Sequence, residues 1–143
     1  MTVPNHRIFD GKRQQMHMAR AARAPEEFLL REMLARLTDR LSDINRRFPR
    51  VLDLSAKHGL LAEYLPDAAG METTVDGGFD NEALAVELGN FDLVIACGTL
   101  HWLNDLPGAL IQIRQALKPD GLLLAMMPGG KTLSELRASF EAA

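Results

Sequence analysis

Between residues 25 and 48, apolar side chains recur at every third or fourth position. They are Phe28, Leu29, Met33, Leu34, Leu37, Leu41, Ile44 and Phe48. This spacing places them on one face of an α-helix. Pro25 suits the first turn of such a helix, and Pro49 cannot continue it. The pattern therefore predicts an amphipathic lead-in helix over residues 25–48 that packs on the core through its apolar face.

From residue 51 onward, short apolar runs alternate with turns and helical stretches. Strands are predicted at residues 51–54, 71–75, 91–96 and 122–127. Helices are predicted at residues 59–65, 106–117 and 132–140. The segment Lys118-Pro119-Asp120-Gly121 has the composition of a turn. Because alternating strands and helices form parallel sheets with right-handed crossovers, the predicted fold class is α/β with one mostly parallel sheet.

Residues 1–24 form a basic arm ahead of a single domain at residues 25–143. The arm carries five cationic side chains against Asp10, namely Arg7, Lys12, Arg13, Arg20 and Arg23. Such an arm either contacts phosphates or forms a helix whose charges face water, and charge runs usually face water. The chain of 143 residues has a net charge of −3 and 47% hydrophobic residues. That composition is ordinary for one globular domain, and nucleic acid is not an expected partner.

Several classes of protein are disfavoured by what the sequence contains. Cys97 is the single cysteine, so an internal disulfide and a paired-cysteine zinc site are both excluded, and no metal is predicted. No apolar run approaches the roughly 18 residues of a membrane-spanning helix. The first ten residues, MTVPNHRIFD, lack the apolar stretch of a secretory signal. We therefore expect a cytoplasmic protein without a membrane span.

A phosphate-loop motif is suggested by Gly130-Lys131-Thr132, which follows the last apolar run and precedes a helical pattern. Three features argue against it. Ala125 stands where the motif has its first glycine, and Pro128 removes a backbone donor from the loop. Only 11 residues follow Thr132, which leaves no place for a later strand with a magnesium-binding aspartate. We interpret this segment as an ordinary strand-to-helix loop.

The stronger candidate for a nucleotide site is the segment VLDLSAKHGLLAEYL at residues 51–65. It places Asp53 at the end of the first strand, small residues in the following turn, and Gly59 at the start of the next helical pattern. In an open parallel sheet, ligands bind beyond the carboxyl ends of the strands, near the point where strand order reverses. Asp53 could accept hydrogen bonds from a cationic amine of the ligand. The spacing alone leaves open a plain tight turn.

Three segments together resemble the class I S-adenosylmethionine-dependent methyltransferases. They are residues 51–65, FDLVIACGTLHWLNDLPGALIQIRQALKPDGLLLAMM at 91–127, and GGKTLSELR at 129–137. The most similar branch contains the biotin-pathway carboxyl methyltransferase and the methyltransferase-like assembly factor of respiratory complex I. The opening IFDGKRQQMHMARAA also resembles the assembly-factor branch. The resemblance implies a Rossmann-like fold and S-adenosylmethionine as cofactor.

The resemblance also assigns cofactor-binding residues near the first two strands. Asp53, Ser55 and Gly59 match the family's first motif, which holds the methionine end of the cofactor. Asp76 follows the second strand, where the family places the acid that binds the ribose hydroxyls. Ser55 departs from the family's pattern, which favours glycine there.

Further assignments follow from the later segments. Asp80 and Asn81 are expected beside the adenine. Ala96, Cys97 and Gly98 end the strand at 91–96 and are expected to line the floor beneath the reactive methyl group.

On the substrate side, the resemblance places His101 and Trp102. His101 titrates near neutrality and could remove a proton from the methyl acceptor, although a structural hydrogen bond beside Trp102 is the favoured alternative. Cys97 is expected to be a small buried residue and not a nucleophile.

The implied function is methyl transfer to a small-molecule carboxylate or to a protein. The sequence has room for one strand between residues 65 and 91 and none after the last helix, so we expect an incomplete sheet of about four to five strands. The alternative is therefore a non-catalytic assembly or scaffold protein of the complex I type. An uncovered sheet edge would then accept a second copy or a protein partner. The complex I branch adds a third option, hydroxylation of a protein arginine.

Overall fold

The computed structural model describes residues 7–21, 23, 26–57, 59–65, 72–75 and 82–142. Its strands are β1 (Arg50–Asp53), β2 (Glu72–Val75), β3 (Phe91–Cys97) and β4 (Leu117–Met126). Its α-helices are α1 (Gly11–Ala21), α2 (Phe28–Ser42), α3 (Leu106–Ala116) and α4 (Ser134–Glu141). Two short 3-10 turns are formed by Leu61–Tyr64 and Leu100–Trp102. No helix within these residues is long and apolar enough to cross a membrane.

The four described strands form one parallel sheet in the order β2-β1-β3-β4. This confirms the predicted α/β class and the parallel pairing. The chain leaves β1 toward β2 on one side and returns to β3 on the other side. Strand order therefore reverses between β1 and β3, and the carboxyl ends of these two strands flank the position where an open α/β sheet binds its ligand.

The residues of β1 and β3 alternate between two apolar layers, as the two-residue period of a strand requires. On one face Val51, Leu93 and Ile95 pack with the apolar side of α2. On the other face Leu52 and Val94 pack with α3 and its flanking residues. Because both faces are covered, every residue of β3 is buried, and the strand is a continuous apolar run broken only by Asp92.

Asp92 is the charged exception inside β3, and its partners explain why it is tolerated. Lys118 Nζ lies 3.0 Å from both carboxylate oxygens, and the Arg50 backbone N–H donates to Oδ2 at 3.0 Å. Burial raises the pKa of the Asp92 carboxyl. These hydrogen bonds and the nearby cations lower that pKa by more than burial raises it, so the net shift is downward. Asp92 stays ionised and ties β3 to the starts of β1 and β4.

Strand β4 has an interruption where the sequence predicts a turn. Phe91 pairs with Leu117, but Leu93 pairs with Leu122, so residues 118–121 bulge out of the ladder. Asp120 in the bulge has a φ of 63°, a left-handed conformation that aspartate tolerates better than most residues. The residues of the predicted turn therefore belong to β4, which begins at Leu117, and they form an irregularity in its pairing with β3.

Two predicted helices are shorter than expected. Of the helix predicted at residues 59–65, only the 3-10 turn Leu61–Tyr64 forms, because Gly59 has a φ of 80° and cannot belong to an α-helix. The lead-in helix ends at Ser42, where the side-chain hydroxyl donates to the Asp39 carbonyl. Phe48 still reaches the core, but from the non-helical segment between α2 and β1.

The basic arm forms α1, in which no residue is buried. This agrees with a helix whose charges face water.

Candidate functional site

The turns that leave β1 and β3 are held together by backbone hydrogen bonds that extend the sheet beyond its strands. The Ala56 N–H donates to the Cys97 carbonyl at 2.9 Å, and the Gly98 N–H donates to the Met126 carbonyl at 2.9 Å. The Ser55 N–H donates to Asp53 Oδ1 at 2.9 Å. These contacts bring Asp53, Ser55, Cys97 and Gly98 to the same edge of the sheet, as the sequence predicts.

Asp53 and Ser55 each have a polar atom that no described residue satisfies. Asp53 is 1% exposed and Ser55 is 2% exposed. Asp53 Oδ1 accepts from the Ser55 backbone, whereas Asp53 Oδ2 and Ser55 Oγ are buried and have no hydrogen-bond partner among residues 7–21, 23, 26–57, 59–65, 72–75 and 82–142. Buried polar groups are nearly always hydrogen-bonded, so these two atoms are candidates for contact with a water molecule or a ligand.

Two more atoms of this kind follow β3. Thr99 Oγ1 and His101 Nδ1 are also buried without a hydrogen-bond partner. Among the described residues, this sheet edge thus gathers four unsatisfied polar atoms from the segments that follow two neighbouring strands. Their chemistry is mixed, since a carboxylate and an imidazole nitrogen can accept and two hydroxyls can both donate and accept. Such a set suits a ligand with both donor and acceptor groups.

Glycine is required at two positions around this edge. Gly59 has a φ of 80° and Gly98 a φ of 72°, both in the left-handed region that disfavours side chains. A Cβ atom on Gly98 would lie 3.4 Å from Leu30 Cδ1 and 3.5 Å from Ala56 Cβ. Ser55, in contrast, has no positive φ. The serine in place of the family's glycine therefore leaves the turn unstrained and adds a hydroxyl.

The turn after β1 is tied to α2 by an ionic network. Glu27 pairs with Lys57 of the turn and, at 2.7 Å, with Arg31. Arg31 pairs in addition with Glu63 of the 3-10 turn, also at 2.7 Å. These pairs are partly exposed and add little stability individually. Their effect is geometric, since they link the segments on both sides of Gly59 to one helix.

His101 lies against Trp102, with ring centroids 4.9 Å apart. Burial lowers the pKa of His101, so the imidazole is neutral at pH 7. The expected structural hydrogen bond is not found at Nδ1, which has no partner in the part of the chain that the structure describes. Trp102 is 46% exposed and forms an edge-on contact with Phe9. A neutral imidazole beside an exposed indole can accept a proton from a bound molecule.

Cys97 is fully buried at the end of β3. Burial, together with the charge of Asp53, raises the pKa of its thiol to about 11. The thiolate needed for nucleophilic attack is therefore scarce at neutral pH. Cys97 packs as a small apolar residue, in agreement with the prediction.

Some assigned residues cannot be placed. Asp76, Asp80 and Asn81 lie outside the described residues. Thr99, conversely, was missed from the sequence, although its position directly after a strand that points at the predicted ligand crevice could have identified it.

The loop containing Gly130-Lys131-Thr132 lacks the features of a phosphate site. Lys131 is exposed, and the Thr132 N–H donates to the Gly129 carbonyl at 2.9 Å. The Ser134 N–H donates to the Lys131 carbonyl at 3.2 Å. These donors are used within the turn, so they are not directed at a common point as phosphate binding requires.

Comparison with known proteins agrees with this geometry. The family model described as methyltransferase domain matches residues 26–141. The human protein named arginine-hydroxylase NDUFAF5, mitochondrial, is 40% identical across 95% of this chain and 46% of its own length. A malonyl-[acyl-carrier protein] O-methyltransferase from Acetivibrio thermocellus is 30% identical across 95% of this chain and 56% of its own. The chain thus spans about half the length of these relatives.

Among solved structures, a SAM-dependent methyltransferase from Thermotoga maritima superposes with a TM-score of 0.56. The superposition covers 90% of this chain and 69% of the Thermotoga maritima protein, at 14% sequence identity. A likeness at this identity supports the fold alone. On the sequence matches and the Rossmann-like parallel sheet, the chain belongs to the S-adenosylmethionine-dependent methyltransferase family.

Proposed function

We propose that this chain binds S-adenosylmethionine at the carboxyl edge of β1 and β3 and transfers its methyl group to a carboxylate or protein acceptor. The observation that carries the proposal is the set of unsatisfied buried atoms on Asp53, Ser55, Thr99 and His101. Buried polar atoms are nearly always hydrogen-bonded, and a bound ligand is one kind of partner that these four atoms could accept.

The residues at this edge fit the amino-acid end of that cofactor. The Asp53 carboxylate can accept hydrogen bonds from an ammonium group, and its burial strengthens that interaction. Ser55 offers a hydroxyl beside it. Gly98 adopts the left-handed φ of 72° that the turn after β3 has. The proposal also retains Asp76 as the residue that binds the ribose and Asp80 and Asn81 as the residues beside the adenine.

The chemistry requires mainly positioning. Asp53 and Ser55 would hold the amino-acid end of the cofactor, which when bound would supply an electrophilic methyl group for in-line displacement by a nucleophile, with S-adenosylhomocysteine as the leaving group. The protein contributes by holding the acceptor in line and excluding water. In this proposal Trp102 forms part of the acceptor side, and neutral His101 can accept the proton of an acceptor that must be deprotonated. A carboxylate acceptor, which is already ionised, would not need His101.

The acceptor itself is proposed only as a class. One relative is named for methyl transfer to malonyl-acyl carrier protein and another for arginine hydroxylation, and those names describe those proteins. We propose the cytoplasm as the location, as the sequence suggests, although the human relative is named as mitochondrial.

Titration calorimetry with S-adenosylhomocysteine tests the binding step. We expect saturable one-to-one binding, and a rise in stability of about 2.7 kcal/mol when the ligand is present at about 100 times its Kd. Adenosine triphosphate serves as the control ligand, because the Gly130-Lys131-Thr132 loop would bind it if that loop were a phosphate site. No heat and no thermal shift with millimolar S-adenosylhomocysteine would refute the proposal and favour the non-catalytic assembly protein.

A further inference from the structure

Helix α4 carries an apolar face that is open to solvent within the described part of the chain. No residue of this helix is buried. Three large apolar side chains, those of Leu133, Leu136 and Phe140, are 68%, 49% and 74% exposed. Because they are three and four positions apart, they lie on one side of the helix. The groove that they form is lined by Thr132, Leu133, Leu136, Arg137, Phe140 and Glu141, and these six residues make up the α4 face.

The α4 face differs from the scattered apolar residues that are normal on a protein surface. Its apolar side chains line one groove, and contiguous exposed apolar surface of this kind marks interaction sites. Leu133 has a φ of 58°, a left-handed conformation that is uncommon for a residue other than glycine. Backbone conformations of this kind are concentrated at functional positions. The α4 face therefore has the properties of a binding surface.

Strand β4, which precedes α4, also lacks cover. It lies at one edge of the four described strands, and its apolar residues 122–126 are only half-buried or exposed. All residues of the neighbouring strand β3 are buried. Since parallel strands are normally covered on both faces, β4 and α4 both carry apolar surface that a partner could bury.

The charges of the α4 face indicate which partner fits it. Arg137 and Glu141 are exposed, lie one helical turn apart and line the same groove. A face with charges of one sign would repel a second copy of itself. A face with one cation and one anion is complementary to its own copy when the two helices meet antiparallel. The cation of each copy then lies opposite the anion of the other copy, as an isologous interface requires.

We propose that the α4 face binds a second copy of this chain, with the two α4 helices antiparallel about a two-fold axis near Ala138. This register places Phe140 of each copy opposite Leu136 of the other. It also brings each Arg137 within reach of the Glu141 carboxylate of the other copy. The apolar side chains bury one another, and two ion pairs lie at the rim. The inference does not depend on cofactor binding, so its test is independent of the proposed function.

Sedimentation velocity of the chain over a series of concentrations tests the assembly. We expect a reversible equilibrium between a monomer of 15.8 kDa and a dimer of twice that mass. Leu136→Ser should raise the dissociation constant of the dimer by about 100-fold or more, because each dimer loses two buried leucines. Circular dichroism should show that this variant is folded, since Leu136 is not part of the core.

Charge reversal tests the antiparallel arrangement. Arg137→Glu leaves only anions on this flank of α4, and Glu141→Arg leaves only cations, so each variant should repel its own copy. The dissociation constant of either variant alone should rise by about 10-fold or more. An equimolar mixture of the two variants should form mixed dimers with an affinity close to that of the wild type. Arg114→Glu is the matched control, because Arg114 is exposed on α3, and it should dimerise as the wild type does.

Three results would overturn the proposal. A wild type that is monomeric at every concentration would show that the α4 face serves another occupant. A dimer that Leu136→Ser and both charge variants leave intact would place the interface elsewhere on the chain. Charge variants that remain monomeric when mixed would rule out the pairing of Arg137 with Glu141 across a two-fold axis.

Discussion

Replacing Asp53 with asparagine is expected to weaken S-adenosylhomocysteine binding by about 10-fold or more, since hydrogen bonds to a charged group contribute roughly 1.5–3 kcal/mol. The same change should leave the free energy of unfolding unchanged or raise it. Asparagine retains Oδ1 as the acceptor for the Ser55 N–H, so the turn keeps its hydrogen bond. What it removes is a buried negative charge whose second oxygen has no partner among the described residues.

An unchanged or higher free energy of unfolding would distinguish Asp53→Asn from a substitution that disrupts packing in the core. Burying an unpaired charge opposes folding, and a fold retains one where function requires it. Calorimetric titration gives the affinity, and urea denaturation gives the free energy of unfolding. An Asp53→Asn protein that bound S-adenosylhomocysteine as tightly as the wild type would show that Asp53 does not contact the ligand.

Asp92→Asn is the matched control, because Asp92 is also a buried aspartate of the central sheet. Its carboxylate is paired with Lys118 and with the Arg50 backbone, at the opposite end of β3 from the proposed site. Loss of these charge-assisted bonds should lower the free energy of unfolding by about 1–3 kcal/mol. Affinity for S-adenosylhomocysteine should remain unchanged. Asp53→Asn is thus expected to lower the affinity without lowering the free energy of unfolding, and Asp92→Asn to lower the free energy of unfolding without changing the affinity.

The largest effect on stability is expected from Leu34→Ala in α2. Leu34 is 0% exposed and lies in the layer that joins α2 to β1 and β3. Truncating a buried leucine to alanine lowers the free energy of unfolding by about 2–5 kcal/mol, because burial is lost and a cavity remains. Small domains have a total of about 5–15 kcal/mol, so the variant should be marginally stable at 37 °C.

Leu29→Ala on the same helix is the control for helix propensity. Leu29 is 60% exposed, so its truncation should change the free energy of unfolding by no more than about 0.5 kcal/mol. Urea denaturation of both variants, with unchanged m-values, provides the comparison. Equal effects for the two leucines would mean that α2 does not pack on the sheet as described.

The sheet could be predicted from the sequence because burial and strand pairing agree there. Apart from Asp92, residues 91–97 are apolar on both faces, which is what a central parallel strand needs. The end of α2 could not be predicted in the same way. Ile44 and Phe48 continue the helical spacing, yet they lie beyond Ser42, and periodicity does not reveal that Phe48 enters the core from an extended segment.

The location of the candidate site could be predicted where it follows from the ends of the strands, and the binding role of its residues stays a prediction. Asp53, Ser55, Cys97 and Gly98 lie together at one edge because parallel strands align their carboxyl ends, which the topology alone requires. The hydrogen bonds that the Asn104 side chain forms with Phe9 and Glu82 could not be predicted. Phe9 and Asn104 lie 95 positions apart, and no local pattern encodes such a partner.

The central claim, that the carboxyl edge of β1 and β3 holds the cofactor, is tested most directly by nuclear magnetic resonance of the 15N-labelled protein titrated with S-adenosylhomocysteine. If the cofactor binds at this edge, the largest chemical-shift changes are expected for four backbone amides, those of Ser55, Ala56, Gly98 and Thr99. Residues of α4 should show little change. Shifts confined to α4 and the loop before it, or an unperturbed spectrum at millimolar ligand, would contradict it.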